Sequence, residues 1–460
     1  MHSFLRQPGD DMNRNLTEDG IWKSLLRFSI PYLISCFLQT FYGMADLFIT
    51  GQFNQAGHIS AVSVGSQLMH MLTVVIVGLA MGTTVSIGRA AGGGDDKKLQ
   101  ETIGNTFIIF GFFALVLTVC LLALKNRILS ILSVPEEAFG AAGSYAAVCF
   151  AGIPLIVAYN VMGSIFRGIG DTRHPMYYVA ASGIVNIGLD YLLIGYFGMG
   201  ATGAALATVI SQAGAAALSV AGILKRHPEI RFSRKYLKVK KQTAAQILSI
   251  GVPISCQDGL IQVSFLVITA IANSRGVNVS AAVGIVEKII SFLFLVPSAM
   301  LSSVAALAAR NAGAGQNRRA QAILHHAVMI CLVFGGLVFL VCQFVSGPVV
   351  SVFVHNEPEV VRLGGQYLKA YALDCVFAGV HFCFSGYFSA YGKSIYSFIH
   401  NVISIVLVRI PGAWLASVFF PETLYPMGLA APMGSLLSAL ICIFLFVRNR
   451  RWFLQDCRIR

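Results

Sequence analysis

The segment KRHPEIRFSRKYLKVKK, residues 225 to 241, divides the chain into two halves of nearly equal length. It is strongly basic, whereas both flanking halves are apolar. The whole sequence is 56% hydrophobic and only 12% charged, although a soluble domain is roughly 25% charged. Stretches of about 20 apolar residues, enough to cross a bilayer core of about 30 Å, follow one another closely on both sides. We therefore predict an all-α membrane protein.

Twelve apolar stretches are present, six before the basic segment and six after it. Their approximate bounds are 24–50, 58–85, 101–124, 139–163, 175–197, 199–224, 244–271, 279–307, 321–345, 364–388, 396–419 and 428–447. We predict a twelve-span chain with five parts. These are an N-terminal segment (1–23), an N-terminal lobe (24–224), a basic linker (225–243), a C-terminal lobe (244–447) and a tail (448–460).

The positive charges are distributed unevenly between the two sides of these spans. If the N-terminus is placed inside the cell, 26 of the 33 Lys and Arg residues fall on the inner side. Such an excess marks the cytoplasmic side of a membrane protein. The sequence therefore predicts that both termini are cytoplasmic, and that the net charge of +13 reflects topology rather than nucleic-acid binding.

The second half repeats short motifs of the first half in the same order. Six pairs match at offsets between 220 and 228: SIPYLIS (29–35) with GVPISCQ (251–257), HISAV (58–62) with NVSAA (278–282), RAAGGG (89–94) with RNAGAG (310–315), VPEE (134–137) with EPEV (357–360), FRGIGDT (166–172) with FSAYGKS (388–394), and MGATGAA (199–205) with MGLAAPM (427–433). Halves with an even number of spans share one orientation. We predict two six-helix lobes related by a pseudo-two-fold axis along the membrane normal, the architecture of an alternating-access transporter.

Polar residues inside the spans indicate where such a transporter acts. Asn186 and Asp190 lie one helical turn apart in the fifth span and share a face. Gln39, Tyr42 and Asp46 follow i, i+3, i+7 spacing in the first span, which also places them on one face. A carboxylate at membrane depth costs at least about 2.5 to 3.5 kcal/mol, so it is kept where it pairs, faces water or has a function.

The sequence resembles the bacterial branch of the multidrug and toxic compound extrusion (MATE) family. The resemblance covers nearly the whole chain and rests on motifs found in both halves. They are PYLISCFLQTFYGMADLFITGQF (31–53), RAAGGG, RNAGAG, FRGIGDT, NIGLD (186–190) and GATGAALATVISQ (200–212). It implies two lobes around a V-shaped cavity, and export of organic cations in exchange for protons or sodium ions.

The resemblance also implies an ion-coupling site in the N-terminal lobe, at Asp46, Asn186, Asp190 and Thr208. Two carboxylates in a medium of low dielectric cannot both ionise at low cost, so the pair can act as a proton switch. The same oxygen-rich set can instead bind Na⁺, with all four residues as ligands. A third interpretation is a polar cluster that only joins the helices. The sequence leaves these alternatives open.

The C-terminal lobe differs from the N-terminal one. At the offsets matching Asp46 and Asp190 it has Val267 or Ile268, and Gly412. We therefore predict asymmetric coupling. Some relatives carry a second-lobe site made of a Glu in span 7 and a Tyr and an Asp in span 10. Tyr371 and Asp374 are similar residues in span 10, but their spacing differs, and span 7 has Gln262 instead of a Glu. We therefore do not assign this second-lobe site to the present chain. Candidate substrate-cavity residues are Gln39, Tyr42, Gln262, Glu287 and Asp374.

Motifs of other protein classes do not occur in the sequence. It has no Walker A pattern, no H-E-x-x-H and no G-x-S-x-G. We predict a monomeric antiporter of the bacterial inner membrane that is not an enzyme. It is expected to bind a small organic cation and no nucleic acid, and to use H⁺ or Na⁺ but no cofactor. The alternative is a lipid-linked oligosaccharide flippase of the same superfamily, although such proteins often have extra spans and a strongly cationic cavity.

Overall fold

The computed structural model describes residues 16–132, 134–227, 230, 236–354 and 357–455. Helices account for nearly all of these residues, and no strand occurs in the ranges described. Ten of the described helices are each long and apolar enough to cross a membrane. Two further crossings are formed by helix pairs that bend at a short break. The prediction of twelve spans in an all-α membrane protein is confirmed.

The described spans, numbered α1 to α12, are longer than the apolar stretches because polar turns extend their ends. The first six are α1 (Ile21–Phe53), α2 (Ala56–Gly92), α3 (Asp96–Ile131), α4 (Glu136–Ala151 and Ile153–Ile169), α5 (Arg173–Asp190, continued by Tyr191–Tyr196) and α6 (Gly200–Arg226). The second six are α7 (Lys241–Asn273), α8 (Val277–Leu293 and Leu295–Gly313), α9 (Asn317–Ser351), α10 (Pro358–Tyr371 and Asp374–Ala390), α11 (Ser394–Ser404, Ile405–Arg409 and Ile410–Phe419) and α12 (Tyr425–Arg448). A short helix, α13 (Arg450–Gln455), follows.

The fourth and tenth spans are bent, by 52° in α4 and 41° in α10. In α4 the bend lies at Gly152, and Pro154 follows it in the first turn of the next arm. A Cβ atom at Gly152 would lie 2.4 Å from the Val209 side chain of α6. The glycine therefore lets α4 approach α6 closely at the bend.

Two compact units can be distinguished in the chain. Unit 1 contains Ile30–Leu248, whereas unit 2 contains Asp19–Ser29 and the chain from Ser249 onward. Each unit has its own apolar core, built around α2, α4 and α6 in unit 1 and around α8, α10 and α12 in unit 2. These units do not coincide with the two lobes predicted from hydropathy. The boundary between the units falls inside α1, after Ser29, and inside α7, after Leu248. An internal proline follows each boundary, Pro31 in α1 and Pro253 in α7.

Two spans contain a π-helical segment. In α5 it covers Tyr191–Tyr196 and begins directly after Asp190. In α11 it covers Ile405–Arg409 and ends on the arginine. Such segments widen a helix by one residue per turn and occur frequently at functional sites. Each of the two π segments therefore lies next to an ionisable side chain in the middle of a membrane span.

Asp171 joins the ends of three helices of unit 1, on the side predicted to be cytoplasmic. Its Oδ2 lies 2.5 Å from Nδ1 of His174 and 3.6 Å from Nε2 of His227. Its Oδ1 accepts the backbone N–H groups of Arg173 and His174. Burial alone would raise the pKa of this carboxyl, but the hydrogen bond from His227 and the charge of His174 together lower its pKa below the ordinary 3.8.

A carboxyl with a lowered pKa stabilises the folded state above its unfolded pKa, and this contribution is lost as the pH falls through the folded value. Asp171→Asn should therefore reduce the stability of unit 1 at pH 7 by about 1 to 3 kcal/mol. We expect a lower apparent melting temperature in detergent at pH 7, and a smaller difference from wild type below about pH 4. Glu359→Gln removes an exposed ion pair with Arg362 and serves as the control. Equal melting temperatures for wild type and Asp171→Asn at pH 7 would contradict this role.

Candidate ion-coupling site

Asp46 of α1 lies at the centre of the candidate site. Its side chain is only 5% exposed. The Thr208 hydroxyl of α6 lies 3.2 Å from its Oδ2 and 3.1 Å from the Ala204 carbonyl, so the single hydroxyl proton has two alternative acceptors. The other carboxylate oxygen, Oδ1, is buried and has no hydrogen-bond partner of normal geometry in the part of the chain that the structure describes. Thr208 is therefore the donor of normal geometry to the Asp46 carboxylate among the described residues, while Asn186 and Asp190 also approach it.

Asn186 and Asp190 of α5 flank the Asp46 carboxylate. Both side chains are completely buried. Among the described residues, no oxygen of Asp190 and neither polar side-chain atom of Asn186 has a hydrogen-bond partner of normal geometry, although both side chains interact with Asp46. Buried polar groups are nearly always hydrogen-bonded in folded proteins. The unmet donors and acceptors indicate that a proton, an ion or water completes this cluster.

Small residues of α6 allow α5 to pack closely against it. Gly203, Ala204 and Ala207 are buried along α6, and close helix approach in membranes depends on such residues. The Ser182 hydroxyl of α5 donates to the Ser211 carbonyl of α6 at 2.9 Å. Since Asn186 lies one turn after Ser182, this contact fixes the face of α5 that carries the site.

The fourth span supplies two residues that the sequence analysis did not identify. Tyr145 and Cys149, one turn apart in α4, are fully buried. The Tyr145 hydroxyl lies within electrostatic range of both Asp46 and Asp190. A Cβ atom at Gly65 of α2 would lie 2.3 Å from the Tyr145 ring, so this glycine makes room for the tyrosine. No pattern in the sequence pointed to Tyr145, because a single sequence does not show how α4 is rotated toward α5.

The remaining predicted residues of unit 1 lie on the same face of α1 as Asp46. Gln39 donates from Nε2 to the Tyr159 hydroxyl of α4 at 2.6 Å. Tyr42 lies within electrostatic range of Asp46 and Tyr159. The i, i+3, i+7 spacing thus places Gln39, Tyr42 and Asp46 along one face of α1, on which Asp46 is buried and the other two are half-buried.

Unit 2 contains the other candidate substrate residues. Glu287 of α8 is half-buried. The Thr269 hydroxyl of α7 lies 3.1 and 3.3 Å from its two oxygens and 2.9 Å from the Phe265 carbonyl, so the hydroxyl proton has alternative acceptors. Asp374 begins the second arm of α10 and is fully buried. Gln262 lies half-buried on α7. The repeat offset aligned Asp46 with Val267 or Ile268, and Thr269 directly follows them. Unit 2 therefore has a hydroxyl, and not an acid, next to this position.

The site in unit 1 combines two carboxylates, one carboxamide and one hydroxyl from three helices. Ionising both carboxylates side by side in this buried setting is unfavourable, so the pair holds a shared proton or a cation most readily. Hard cations prefer oxygen ligands of this kind. No group of three or more His, Cys, Asp or Glu residues suited to a transition metal occurs among the residues that the structure describes.

Comparison with known proteins identifies the family. A family model described as MatE matches residues 31–192 and matches again at 253–415. The two matched segments begin at Pro31 and Pro253, the prolines of the first repeated motif, and together they cover most of the chain. The chain belongs to the MATE family. Because the MATE model matches twice, it also confirms that the chain is an internal duplication.

Curated relatives of this MATE protein include bacterial proteins named as multidrug transporters, and one of Shewanella oneidensis (strain ATCC 700550 / JCM 31522 / CIP 106686 / LMG 19005 / NCIMB 14063 / MR-1) that is named "FAD transporter", 26% identical over 93% of this chain and 95% of that protein. The chain is 28% identical to "Probable multidrug resistance protein YpnP" of Bacillus subtilis (strain 168), over 95% of this chain and 97% of that protein. It is 27% identical to "Multidrug export protein MepA" of Staphylococcus aureus (strain bovine RF122 / ET3-1), over 91% of each. This MATE protein is therefore a multi-pass membrane transporter and not an enzyme, as predicted.

Solved structures show the same fold. A structure described as the outward-facing conformation of a multidrug resistance MATE family transporter of the MOP superfamily matches with a TM-score of 0.89. That match covers 98% of this chain and 99% of the other chain at 21% identity. The MATE fold predicted from the motifs is confirmed.

Proposed function

We propose that this MATE protein exports small organic cations in exchange for H⁺ or Na⁺, and that Asp46, Asn186, Asp190 and Thr208 form its ion-coupling site. The observation that carries the proposal is the close approach of two buried carboxylates, Asp46 and Asp190, which interact with each other and of which three of the four oxygens lack a hydrogen-bond partner of normal geometry among the described residues. A cluster that served only to join helices would be expected to satisfy its own polar atoms.

The physical basis of the coupling is a change in the charge of the acid pair. With a proton or Na⁺ bound, the pair carries one negative charge instead of two, which lowers the cost of sealing it from water. Without the ion, its negative charge strongly favours a water-exposed state. A protein that opens alternately to the two sides of the membrane can therefore release the ion on one side and take it up on the other.

Two features support small-molecule export rather than lipid-linked oligosaccharide flipping. The curated relatives above are named as multidrug proteins. The described part of unit 1 places two acids, and no Lys or Arg, next to one another in the candidate site. A cluster of this charge suits cationic substrates and ions better than a pyrophosphate group. We further propose a monomer with both termini in the cytoplasm, in agreement with the Lys and Arg distribution.

The choice of ion is tested with purified protein in liposomes. Uptake of a labelled organic cation is measured with a proton gradient in sodium-free buffer, and separately with a sodium gradient at equal pH on both sides. We expect one of these gradients to drive accumulation. A tenfold ion gradient sustains about a tenfold substrate gradient in one-for-one exchange, since both correspond to about 1.4 kcal/mol. Equal flux with and without each gradient would overturn antiport and favour flipping or facilitated diffusion.

A further inference from the structure

A short basic segment follows the last membrane span of unit 2. Arg448, Arg450 and Arg451 lie within four residues, at the end of α12 and the start of α13, and all three are exposed. In the part of the chain that the structure describes, none of them forms an ion pair with an acid. This basic patch therefore carries three positive charges that the described part of the protein does not neutralise.

The patch is held in place by a buried aromatic residue of α13. Phe453 is only 1% exposed. Its ring stacks on Phe388 of α10 and on Phe446 of α12, with centroids 6.0 Å apart in both pairs. The Leu454 carbonyl accepts the side-chain amide of Asn317 of α9 at 3.4 Å. The short helix is thus fixed against three spans of unit 2, and the arginines at its start have a defined place.

The surface of α12 that leads to the patch is apolar and exposed. Four side chains at i, i+3, i+4, i+7 spacing share one face of the helix, and each is at least 44% exposed: Leu440, Ile443, Phe444 and Val447. Lipid acyl chains are as apolar as such side chains, so this stripe is expected to contact them. The stripe ends one residue before the first arginine. The patch therefore lies at the level of the lipid headgroups, on the side predicted to be cytoplasmic.

A tryptophan and a lysine adjoin the arginines. Trp452 of α13 is half-buried. Nζ of Lys393, in the turn between α10 and α11, lies 4.9 Å from the centroid of the Trp452 ring. Tryptophan is enriched at the headgroup level of membranes, where one part of the side chain meets acyl chains and the other meets water. Lys393 thus adds a fourth positive charge at the same level.

The charges and their position together define a ligand. Clusters of four or more Lys and Arg residues directly after a membrane span attract anionic lipid headgroups. A soluble anion could use the charges but not the apolar stripe beside them. An anionic phospholipid uses both, since its phosphate reaches the patch while its acyl chains lie along α12. We propose that Arg448, Arg450, Arg451 and Lys393 bind the headgroup of an anionic phospholipid at the end of α12.

The test uses the fluorescence of Trp452 in liposomes. The chain has three tryptophans, so Trp22→Phe and Trp414→Phe leave Trp452 as the single reporter. The protein is placed in mixtures of phosphatidylglycerol and phosphatidylcholine in which one lipid carries bromine near the top of its acyl chains and quenches a tryptophan that it contacts. We expect phosphatidylglycerol to be preferred at Trp452 by roughly tenfold. Quenching that follows only the bulk lipid composition would overturn the proposal.

Substitutions at the three arginines then assign the preference to the patch. Replacing all three with glutamine (Arg448→Gln, Arg450→Gln, Arg451→Gln) should lower the preference by roughly fivefold, because a single cation of the patch remains. Replacing all three with lysine (Arg448→Lys, Arg450→Lys, Arg451→Lys) keeps the point charges and should retain most of the preference. A full preference in the monodisperse glutamine variant would overturn the assignment.

Two controls separate the patch from other sources of the effect. Lys125→Gln, Arg127→Gln, Arg362→Gln removes the same number of charges on the side predicted to be extracellular, and should leave the preference unchanged. Inorganic phosphate at millimolar concentration should also leave it unchanged, because phosphate makes no use of the apolar stripe. Loss of the lipid preference in phosphate would assign the patch to a soluble anion, and an equal loss in the control variant would show a general charge effect. Either result would overturn the lipid site.

Discussion

Asp190→Asn is expected to abolish gradient-driven transport while the protein still inserts and remains monodisperse. The substitution keeps the size of the side chain and removes the charge that holds the proton or Na⁺ beside Asp46. An uncoupled carrier only equilibrates its substrate. Wild type should therefore reach about a tenfold accumulation of a labelled organic cation under a tenfold ion gradient, and the variant should show none. Asp46→Asn should have the same effect.

The comparison needs a control that changes an acid outside the site. Glu359→Gln serves this purpose, since Glu359 is exposed and its ion pair with Arg362 is on the surface. It should accumulate substrate as wild type does. Wild-type accumulation by Asp190→Asn would remove the acid pair from the coupling mechanism, and the polar cluster in unit 1 would then be structural.

Gly335→Ala is expected to destabilise unit 2. A Cβ atom at this position of α9 would lie 2.6 Å from the Cys375 carbonyl oxygen and 2.7 Å from Cα of Val376. Both are backbone atoms of α10, directly after its bend, and cannot rotate away. The two helices must separate, which costs about 1 to 3 kcal/mol for an overpacked core. The apparent melting temperature in detergent should fall by several degrees.

The neighbouring glycine provides a matched control. A Cβ atom at Gly336 has nothing within 4 Å, so Gly336→Ala introduces no clash and gains about 1 kcal/mol of helix propensity. Its melting temperature should equal or exceed that of wild type. Similar losses in both variants would show that the effect comes from the helix itself and not from the contact with α10.

The sequence predicts much of the fold, because hydropathy and repeat spacing are properties of the chain alone. Twelve apolar stretches predicted twelve spans, and the six ordered motif pairs predicted the duplication that the family match confirms. The unit boundary was not predicted, since Asp19–Ser29 packs in unit 2 although it begins the first span. That grouping depends on contacts such as Trp22 with His326, whose ring centroids are 4.9 Å apart.

The candidate site was predicted in part. The spacing of Asn186 and Asp190 predicted a shared helix face, and the family resemblance added Asp46 and Thr208. The structure brings all four together. Tyr145 was missed because its approach depends on the rotation of α4 and on the space at Gly65. The π segments were also missed, since hydropathy does not distinguish a π turn from an α turn.

The π-helical segments of the two units lie beside side chains of opposite charge. In α5 the π segment follows Asp190, whereas in α11 it ends on Arg409. The repeat offset aligned Asp190 with Gly412, and did not draw attention to Arg409, which lies a few residues before Gly412. The sequence predicted an asymmetry because the second half lacks counterparts of Asp46 and Asp190. The structure adds a second difference, since unit 2 has a buried arginine beside its π segment.

The most direct test of the central claim measures what leaves the protein when substrate binds. Purified wild-type protein in weakly buffered detergent solution is mixed with a saturating organic cation, and released protons are recorded with a pH indicator. A parallel sample loaded with radioactive sodium records displaced Na⁺. We predict release of about one H⁺ or one Na⁺ per bound substrate from wild type, and none from the double variant Asp46→Asn, Asp190→Asn. Substrate binding to wild type with release of neither ion would contradict the account.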